Sequence, residues 1–169
     1  SSLLNDELQV STPSGTITFD LKGNTYTVDK FGLGIEVGNA AVDNSALTLT
    51  SSTGLGTVHV TDNLVDVEIG TTAGASGQLT VGSNARLEFG RFLVGRDGGT
   101  GRLDIVGNGV AVPTSSSSTP GDTFIGNTGS VGILNVTGSD ARLTTNDLFI
   151  GSASTTGGGA SGTMTISGG

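Results

Sequence analysis

Two fourteen-residue stretches of this sequence are nearly the same, and together they decide the fold. Residues 82–95 read GSNARLEFGRFLVG, and residues 138–151 read GSDARLTTNDLFIG, 56 positions later. Self-similarity at an interval of this order is typical of repeat architectures, in which each repeat is one supersecondary unit and buries its apolar face only by stacking on its neighbours. The two stretches therefore predict a repeat protein.

Three short segments make up each repeat. The first is an apolar segment that ends in glycine. Successive copies of this glycine are 32, 25, 31 and 25 residues apart. These glycines are Gly38, Gly70, Gly95, Gly126 and Gly151. The second segment is Gly-x-Leu-x-Val or a close variant, which begins at Gly77, Gly101, Gly132 and Gly162, and GTVHV from Gly56 fits the same template. The third carries Ala-x-apolar or Ala-apolar, at residues 85–87, 111–112 and 141–143. One repeat therefore holds three short strands.

The alternation within Gly-x-Leu-x-Val predicts which side chains face the interior. Successive residues of a strand point to opposite faces, so the two apolar positions share one face. These inward residues are Leu79, Val81, Leu103, Ile105, Leu134, Val136, Met164 and Ile166. Repeats stacked about 4.8 Å apart let each strand hydrogen-bond to its equivalents above and below, which merges the inward rows into one core. We predict an all-β, right-handed parallel β-helix, or β-solenoid, with three short strands per coil.

Composition agrees with this fold and excludes several classes of partner. The 169 residues include 30 glycines, and only 4% are aromatic, which argues against a bulky globular core. The formal net charge of -8, with only seven Lys and Arg residues, disfavours binding to nucleic acid. Cysteine is absent, and no apolar run reaches the length of a membrane helix. We therefore expect no cofactor, no nucleic-acid partner and no membrane insertion of this chain.

The N-terminal 33 residues depart from the repeat. The segment TITFDLKGNTYTV, residues 16–28, predicts two strands about a glycine-containing turn. We interpret residues 1–33 as an N-terminal β cap that covers the open edge of the first coil. The alternative is an assembly strand pair that inserts into a neighbouring chain. Residues 34–169 form the solenoid, which stops at SGG where another strand is due, so we expect it to continue beyond the chain as given.

The repeat resembles those of known bacterial surface proteins. The order apolar-Ile/Val-Gly, variable turn, Gly-x-Leu-x-Val and Gly-Ser-x-Ala-x-Leu is similar to the repeats of autotransporter (type V secretion) passengers and of surface proteins with a PEP-CTERM sorting tail. The resemblance covers roughly residues 34–169. It implies a secreted or cell-surface β-helix that serves as a stalk or adhesin-like shaft. Proteins of this kind also carry a translocating barrel or a sorting tail and a signal peptide, which the sequence as given does not include, so we expect it to be a portion of a longer molecule.

One outward-facing position of the predicted coils carries apolar residues in the later repeats. The residue before each corner glycine is Ile or Val and is expected to face inward, so the residue before that faces outward. Along the chain this outward position is occupied by Glu36, Glu68, Leu93, Phe124 and Phe149. We predict that the last three form a lateral contact strip, because contiguous exposed apolar residues mark interaction sites. The alternative is that the corner glycines shift the alternation and place both rings in the core.

Two acids form the only candidate catalytic pair. Asp66 and Glu68 flank Val67, which places both carboxylates on one strand face about 7 Å apart, within the range of inverting glycosidases. We interpret them as two surface acids, because neither carboxylate has an apolar setting that would raise its pKa, and the catalytic pair is the alternative. Glu36 occupies the same place in the preceding repeat, where it would stack on Glu68 and repel it. We therefore predict an extra coil between them, formed by ALTLT at residues 46–50, and the alternative is a cation that lies between the two carboxylates.

Three further features carry little chemistry. His59 is the only histidine, and we interpret it as a solvated surface residue. RDGGTG, from Arg96, is interpreted as a turn, because one aspartate does not make a calcium cage. SSSST, residues 115–119, predicts a loop that projects from the shaft.

Two classes of function remain open. The first is a non-enzymatic, extracellular structural or adhesin-like shaft, which presents a lateral surface for self-association or for contact with a cell surface or surface glycan. Repetition and the lack of a cofactor motif favour it. The second is a β-helical protein that binds or cleaves polysaccharide. Stacking aromatics are scarce for that role, since Trp is absent and Tyr26 is the only tyrosine. We expect the first class and an extracellular or bacterial cell-surface location.

Overall fold

The protein is an all-β solenoid. The computed structural model describes residues 2–5, 7–29, 33–61, 66–114, 121–152 and 159–168. These residues contain 18 strands in three sheets, A, B and C, with six strands in each sheet and parallel pairing throughout. The chain visits sheets A, B and C in turn, so three successive strands make one coil and six coils are stacked. The predicted β-solenoid with three strands per coil is confirmed, while its right-handed sense stays a prediction.

The strands follow one another in a regular order. Sheet A consists of β1 (Ser2–Asn5), β4 (Thr25–Val28), β7 (Gly56–Val60), β10 (Ala85–Phe89), β13 (Val110–Pro113) and β16 (Arg142–Leu143). Sheet B consists of β2 (Leu8–Val10), β5 (Leu33–Val37), β8 (Asp66–Ile69), β11 (Arg91–Val94), β14 (Thr123–Asn127) and β17 (Leu148–Ser152). Sheet C consists of β3 (Gly15–Asp20), β6 (Asn44–Thr50), β9 (Ser76–Val81), β12 (Thr100–Val106), β15 (Val131–Thr137) and β18 (Ser161–Ser167).

The two similar stretches of sequence occupy equivalent positions two coils apart. In sheet A, β10 and β16 both pair with β13, which lies between them. In sheet B, β11 and β17 both pair with β14. The repetition in the sequence therefore corresponds to a translation along the solenoid axis, as predicted.

The core lies between the three sheets and is built from the predicted inward rows. Of the eight residues predicted to face inward, six are fully or almost fully buried in one continuous cluster: Leu79, Val81, Leu103, Ile105, Leu134 and Val136. Met164 packs against this cluster, whereas Ile166 is 70% exposed. Both belong to β18, the last strand of sheet C, which pairs only with β15. The alternation is therefore correct, and burial is incomplete where a neighbouring coil is missing.

Glycine is required at the corner between sheets B and C. Gly70 has φ 61°, and a Cβ atom there would overlap the carbonyl oxygen of Thr100 in the next coil. Gly101, the second residue of β12, has the reciprocal restriction, because its Cβ would overlap the carbonyl oxygen of Ile69. The recurrent pair of glycines thus reflects close approach of two backbones as well as a left-handed conformation.

The N-terminal segment joins the same three sheets. The two strands predicted at residues 16–28 exist as β3 and β4, but they do not form a hairpin: β3 pairs with β6 in sheet C, and β4 pairs with β1 and β7 in sheet A. The turn at Lys22 and Gly23, both with positive φ, carries the chain from one sheet to the next. Strands β1, β2 and β3 form the first edge of the three sheets. A separate cap domain at residues 1–33 stays a prediction.

The predicted extra coil is wrong. Residues 46–50 lie in β6, which pairs with β9 in sheet C, so Leu47 and Leu49 continue the inward rows of Leu79 and Val81. The segment GTVHV, from Gly56, belongs instead to sheet A, next to Ala85–Phe89. The Gly-x-Leu-x-Val pattern did not identify this strand, because Ser45 occupies the position at which later coils have glycine. The Ser45 hydroxyl is hydrogen-bonded to the backbone N–H and C=O of Thr12. Glu36 and Glu68 are consequently direct neighbours.

Candidate functional site: the outward face of sheet B

One row of side chains runs along the outer surface of sheet B, and we call it the outer ladder. In register, from the first coil to the last, it contains Gln9, Glu36, Glu68, Leu93, Phe124 and Phe149. The flanking positions on the same strands face the core: for example, Ile35 and Val37 are fully buried there, as are Phe92 and Val94. The outer ladder therefore changes from polar and acidic to apolar along the axis.

The apolar half of the outer ladder holds all three residues of the predicted contact strip. Phe124 and Phe149 stack face to face, with ring centroids 4.6 Å apart and an interplanar angle of 9°. Phe149 is 39% exposed and Phe124 is half-buried, and neither belongs to the core cluster. Leu93 lies in register with Phe124 but is only 4% exposed. The two phenyl rings therefore supply most of the accessible apolar surface, and the use of the strip as a contact face stays a prediction.

The acidic half of the outer ladder stacks like charges. Glu36 is buried and lies beside Glu68 on the neighbouring strand. Gln9 Nε2 donates a hydrogen bond of 2.8 Å to Glu36 Oε2, and Asn39 Nδ2 donates to the same oxygen at 2.5 Å. Burial raises the pKa of Glu36, and a hydrogen bond with Glu7 raises it further, while Gln9 partly offsets both effects. Proton uptake at Glu36 therefore relieves repulsion within the stack.

Arginines of the fourth coil neutralise the acids of the third. Arg91 binds Asp66 in a bidentate manner, with Nε–Oδ1 and Nη2–Oδ2 distances of 2.9 and 2.6 Å. Arg96 Nη1 lies 3.2 Å from Glu68 Oε1. Burial raises the pKa of Glu68, and the guanidinium of Arg96 offsets part of that rise. The expectation that neither acid has a setting that raises its pKa is therefore wrong for Glu68, because its strand is covered by the neighbouring coils.

A shallow concavity of about 370 Å³ lies beside the outer ladder. Its lining comprises Arg91, Leu93, Arg96, Asp97, Phe124, Asn127 and Thr128. Both guanidiniums are fixed by carboxylates of the third coil and of the adjacent turn, where Arg96 Nε contacts Asp97 Oδ2 at 2.9 Å. The ring of Phe124 and several oriented hydrogen-bonding groups therefore meet at the boundary between the acidic and apolar halves of the outer ladder.

The comparisons with known proteins leave the chain without a family. No protein-family model, no curated protein and no solved structure matches it. Within the described residues, no helix has the length and apolar character needed to cross a membrane. In the same part of the chain, no cluster of three or more His, Asp or Glu side chains is arranged to hold a metal ion. Functional inference therefore rests on the geometry of the solenoid surface.

The remaining candidate residues are accounted for by local contacts. His59 Nδ1 lies 2.5 Å from Glu88 Oε2, and Arg86 Nε donates to Glu88 Oε1 at 2.8 Å, which makes a surface network on sheet A. Asp97 lies in a turn, with φ 50°, as interpreted from the sequence. The predicted SSSST loop lies outside the described residues. Of these features only Asp97 belongs to the site on sheet B, where it contacts Arg96 and lines the concavity.

The two arginine pairs were missed in the sequence, although a signal for one of them was present. Alignment on the corner glycines Gly70 and Gly95 places Arg91 opposite Asp66, which is the register that the structure has. Arg96 follows Gly95 directly and reaches back across the strand to Glu68. That second contact depends on the course of the turn after Gly95, which the variable turn lengths conceal.

Proposed function

We propose that the chain is a non-enzymatic structural shaft of an extracellular or cell-surface protein, and that the phenyl pair of the outer ladder makes lateral contact with a neighbouring molecule. The observation that carries this proposal is the stacked pair Phe124 and Phe149, which is accessible on an otherwise polar face. Aromatic rings bury a large apolar area in an interface at low conformational cost. The rigid solenoid would hold the rings at a fixed height along its axis.

Self-association fits the geometry of the strip. Two copies that oppose their phenyl pairs about a two-fold axis would each bury the partner's rings, since such an interface is self-complementary. In a parallel arrangement the acidic halves of the two outer ladders would face each other, whereas in an antiparallel arrangement they would point away from each other, so like-charge repulsion favours the antiparallel orientation. The extracellular or cell-surface location rests on the resemblance of the repeats to those of secreted β-helices.

The double variant Phe124→Ser with Phe149→Ser tests this proposal. We expect a folded protein, by circular dichroism, whose side-by-side association is weakened in sedimentation velocity experiments and in electron micrographs. The matched control is Val42→Ser, which removes an exposed apolar side chain from a turn away from the outer ladder. A folded double variant that associates as strongly as the parent protein would contradict the contact strip.

A polysaccharide-binding role is the second candidate, and the concavity beside Phe124 favours it. Sugar rings stack on aromatic faces, and their hydroxyl groups accept from guanidinium groups and donate to carboxylates. The charges around the concavity are two arginines against Asp66, Glu68 and Asp97, which favours a neutral sugar over an acidic one. Titration with neutral and uronic oligosaccharides, monitored by NMR, tests the role, with Phe124→Ala as the variant expected to lose binding.

Polysaccharide cleavage has less support than binding. An inverting pair needs one carboxylate free to activate water and one protonated acid. Burial shifts the pKa of Glu68 upward, which is the direction a general acid needs, but Asp66 is buried and held at both oxygens by Arg91. A depolymerisation assay on surface glycans with the Asp66→Asn variant decides the matter: cleavage by the parent protein that the variant lacks would overturn the non-enzymatic proposal.

A further inference from the structure

Asp104 lies on the outward face of sheet C, yet only 5% of the residue is exposed. Three side chains from three successive coils bind its carboxylate. Gln78 Nε2 and Arg102 Nε each donate to Oδ2 at 2.7 Å, and Asn135 Nδ2 donates to Oδ1 at 2.7 Å. We call this group the sheet C network, and its members are Gln78, Arg102, Asp104 and Asn135.

The sheet C network lies in the middle of the solenoid. Its residues belong to β9, β12 and β15, and each of these strands pairs with a neighbour on both sides. The exposed and buried groups of the network are therefore set by complete neighbouring coils.

Asp104 determines which groups of its three partners remain free. A carboxylate only accepts hydrogen bonds, so both amides turn their NH2 groups toward it and leave their carbonyl oxygens as acceptors. The structure shows no hydrogen bond to Gln78 Oε1 or Asn135 Oδ1 within the described residues. Arg102 uses Nε for Asp104, and its side chain is 48% exposed. Its Nη1 and Nη2 atoms therefore form a free edge, which matches a second carboxylate in bidentate geometry.

Stabilisation of Asp104 does not by itself require the arginine. The two amides already supply one donor to each carboxylate oxygen. Arg102 and Asp104 are the only charged residues of β9, β12 and β15, so no other acid of these strands competes for the guanidinium. The network thus presents one positively charged edge and two carbonyl oxygens on a rigid surface.

A polar row continues along the axis on both sides of the network. In register, from the first coil to the last, it contains Thr18, Thr48, Thr80, Asp104, Asn135 and Thr165. Hydroxyl and amide groups that recur at every coil suit an extended ligand with many hydroxyl groups. Ile133 lies beside Arg102 in register and is half-buried, which offers apolar surface to the C–H face of a sugar ring. A peptide gains less here, because these strands have no free edge for strand addition.

We propose that the sheet C network binds an acidic polysaccharide that runs along the polar row. Arg102 binds the carboxylate of a uronic acid residue, and Gln78 and Asn135 accept hydrogen bonds from its hydroxyl groups. Asp104 is a positioning residue, since it orients all three side chains and does not touch the ligand. This goes beyond the proposed function and does not depend on it, because the site lies on a different sheet from the phenyl pair and takes a charged sugar.

A matched pair of ligands tests the role of the carboxylate. An oligogalacturonate and its methyl ester carry the same ring hydroxyl groups, but the ester has no charge. In NMR titrations of the nitrogen-15-labelled protein, we expect the oligogalacturonate to shift the Arg102 Nε–H signal and the side-chain NH2 signals of Gln78 and Asn135. The ester should bind about tenfold more weakly or worse, since hydrogen bonds to charged groups contribute a factor of this order. Equal binding of the two ligands would overturn the proposal.

A matched pair of variants tests the position of the site. Arg102→Gln and Arg142→Gln remove the same positive charge, but Arg142 is exposed on β16 in sheet A. With folding verified by circular dichroism, Arg102→Gln should weaken oligogalacturonate binding by about tenfold or more, while the Arg142→Gln variant should bind like the parent protein. Equal weakening in both variants would show a general effect of net charge and would contradict a site at Arg102.

The Asp104→Asn variant separates an organised site from simple attraction. Removal of an acid near Arg102 should strengthen the binding of any anion that is held by charge alone. The sheet C network predicts the opposite, because the guanidinium and both amides lose the partner that orients them. Stronger binding by a folded Asp104→Asn variant would therefore exclude the positioning role.

Two further ligands and one further variant complete the test. Acetate or a glutamate-rich peptide that binds as tightly as the oligogalacturonate would overturn the proposal, since the first indicates a contact for any anion and the second a protein partner. The Phe124→Ser and Phe149→Ser variant should keep oligogalacturonate binding, and Arg102→Gln should keep side-by-side association. Failure of the lateral contact is therefore distinguishable from failure of the sheet C site.

Discussion

Glu36 lies directly beside Glu68 on the neighbouring strand of sheet B, and no arginine contacts Glu36 in the described residues. Glu36 accepts hydrogen bonds from the amides of Gln9 and Asn39, and it also shares a hydrogen bond with Glu7. Glu68 differs, since Arg96 contacts it from the following coil. Two stacked acids with unequal compensation make the outer ladder sensitive to pH.

Replacement of Glu36 by Gln should stabilise the protein at neutral pH. The folded-state pKa of Glu36 is raised above its ordinary value of 4.5, mainly by burial. The folded state therefore binds more protons than the unfolded state between 4.5 and the raised pKa, and stability falls as pH rises through that window. Urea denaturation at several pH values should show a smaller fall in the Glu36→Gln variant, and the remainder is assigned to Glu68, whose pKa burial also raises. A parent protein whose stability does not decrease with rising pH in that window would contradict the prediction, provided that the contribution of Glu88 is measured separately.

Glu88 should have the opposite effect. Burial alone would raise its pKa, but hydrogen bonds from Arg86 and His59 together lower it below 4.5. A depressed pKa contributes stability that is present above pH 4.5 and is lost as pH falls through the folded-state value. We expect Glu88→Gln to destabilise the protein at neutral pH and to remove part of the acid-induced loss of stability. Equal stability of variant and parent at neutral pH would show that the network contributes nothing.

Shortening an inward-facing side chain in the middle of the solenoid should lower the free energy of unfolding. Leu103→Ala and Leu134→Ala each remove a fully buried side chain, and such deletions cost about 2–5 kcal/mol of unfolding free energy. Val131→Ala, in the same strand as Leu134 but exposed, is the matched control and should cost much less. Chemical denaturation measures all three. Unchanged midpoints for both leucine variants would mean that the inward assignment is incorrect.

Alanine at a corner glycine should separate backbone strain from overlap between coils. A left-handed alanine costs about 1–2 kcal/mol by itself. Gly70→Ala adds an overlap with the carbonyl oxygen of Thr100, whereas at Gly151, which has the same conformation, the nearest atom to an added Cβ lies 3.6 Å away. Gly54→Ala is a second control, with φ 70° and open space around it. We expect Gly70→Ala to lower the melting temperature much more than the other two variants. Comparable decreases in all three variants would show that overlap between coils does not contribute.

The sequence was sufficient for the fold because glycine and alternation are local signals. Gly-x-Leu-x-Val identifies both a corner and the inward row that follows, and this pattern placed Leu103 and Leu134 correctly. The pattern gave a wrong strand assignment where the corner position of sheet C is not a glycine. Ser45 replaces glycine in sheet C by hydrogen-bonding to Thr12, and Gly56 opens a strand of sheet A instead, where a Cβ would overlap the side chain of Leu21.

The surface was less predictable than the core. The order of the outer ladder was evident from spacing, but the exposure of each member was not. Leu93 is covered although it points away from the core, because Arg91 and Arg96 on either side line the same concavity. Long charged side chains can shield apolar surface in this way. Their conformations depend on partners in another coil, about 25 residues away, and no local pattern encodes them.

The direction of the hydrogen bonds determines how this molecule would respond to force. Bonds between coils run along the axis, while the covalent chain runs around the perimeter, so tension applied to the two ends of the chain loads one terminal coil at a time. Each coil that peels away would release slack: 25 residues extend by at most about 80–90 Å. A solenoid of this kind would lengthen in steps under tension. Only the outermost coil would unfold at each step, and the remaining coils would stay folded.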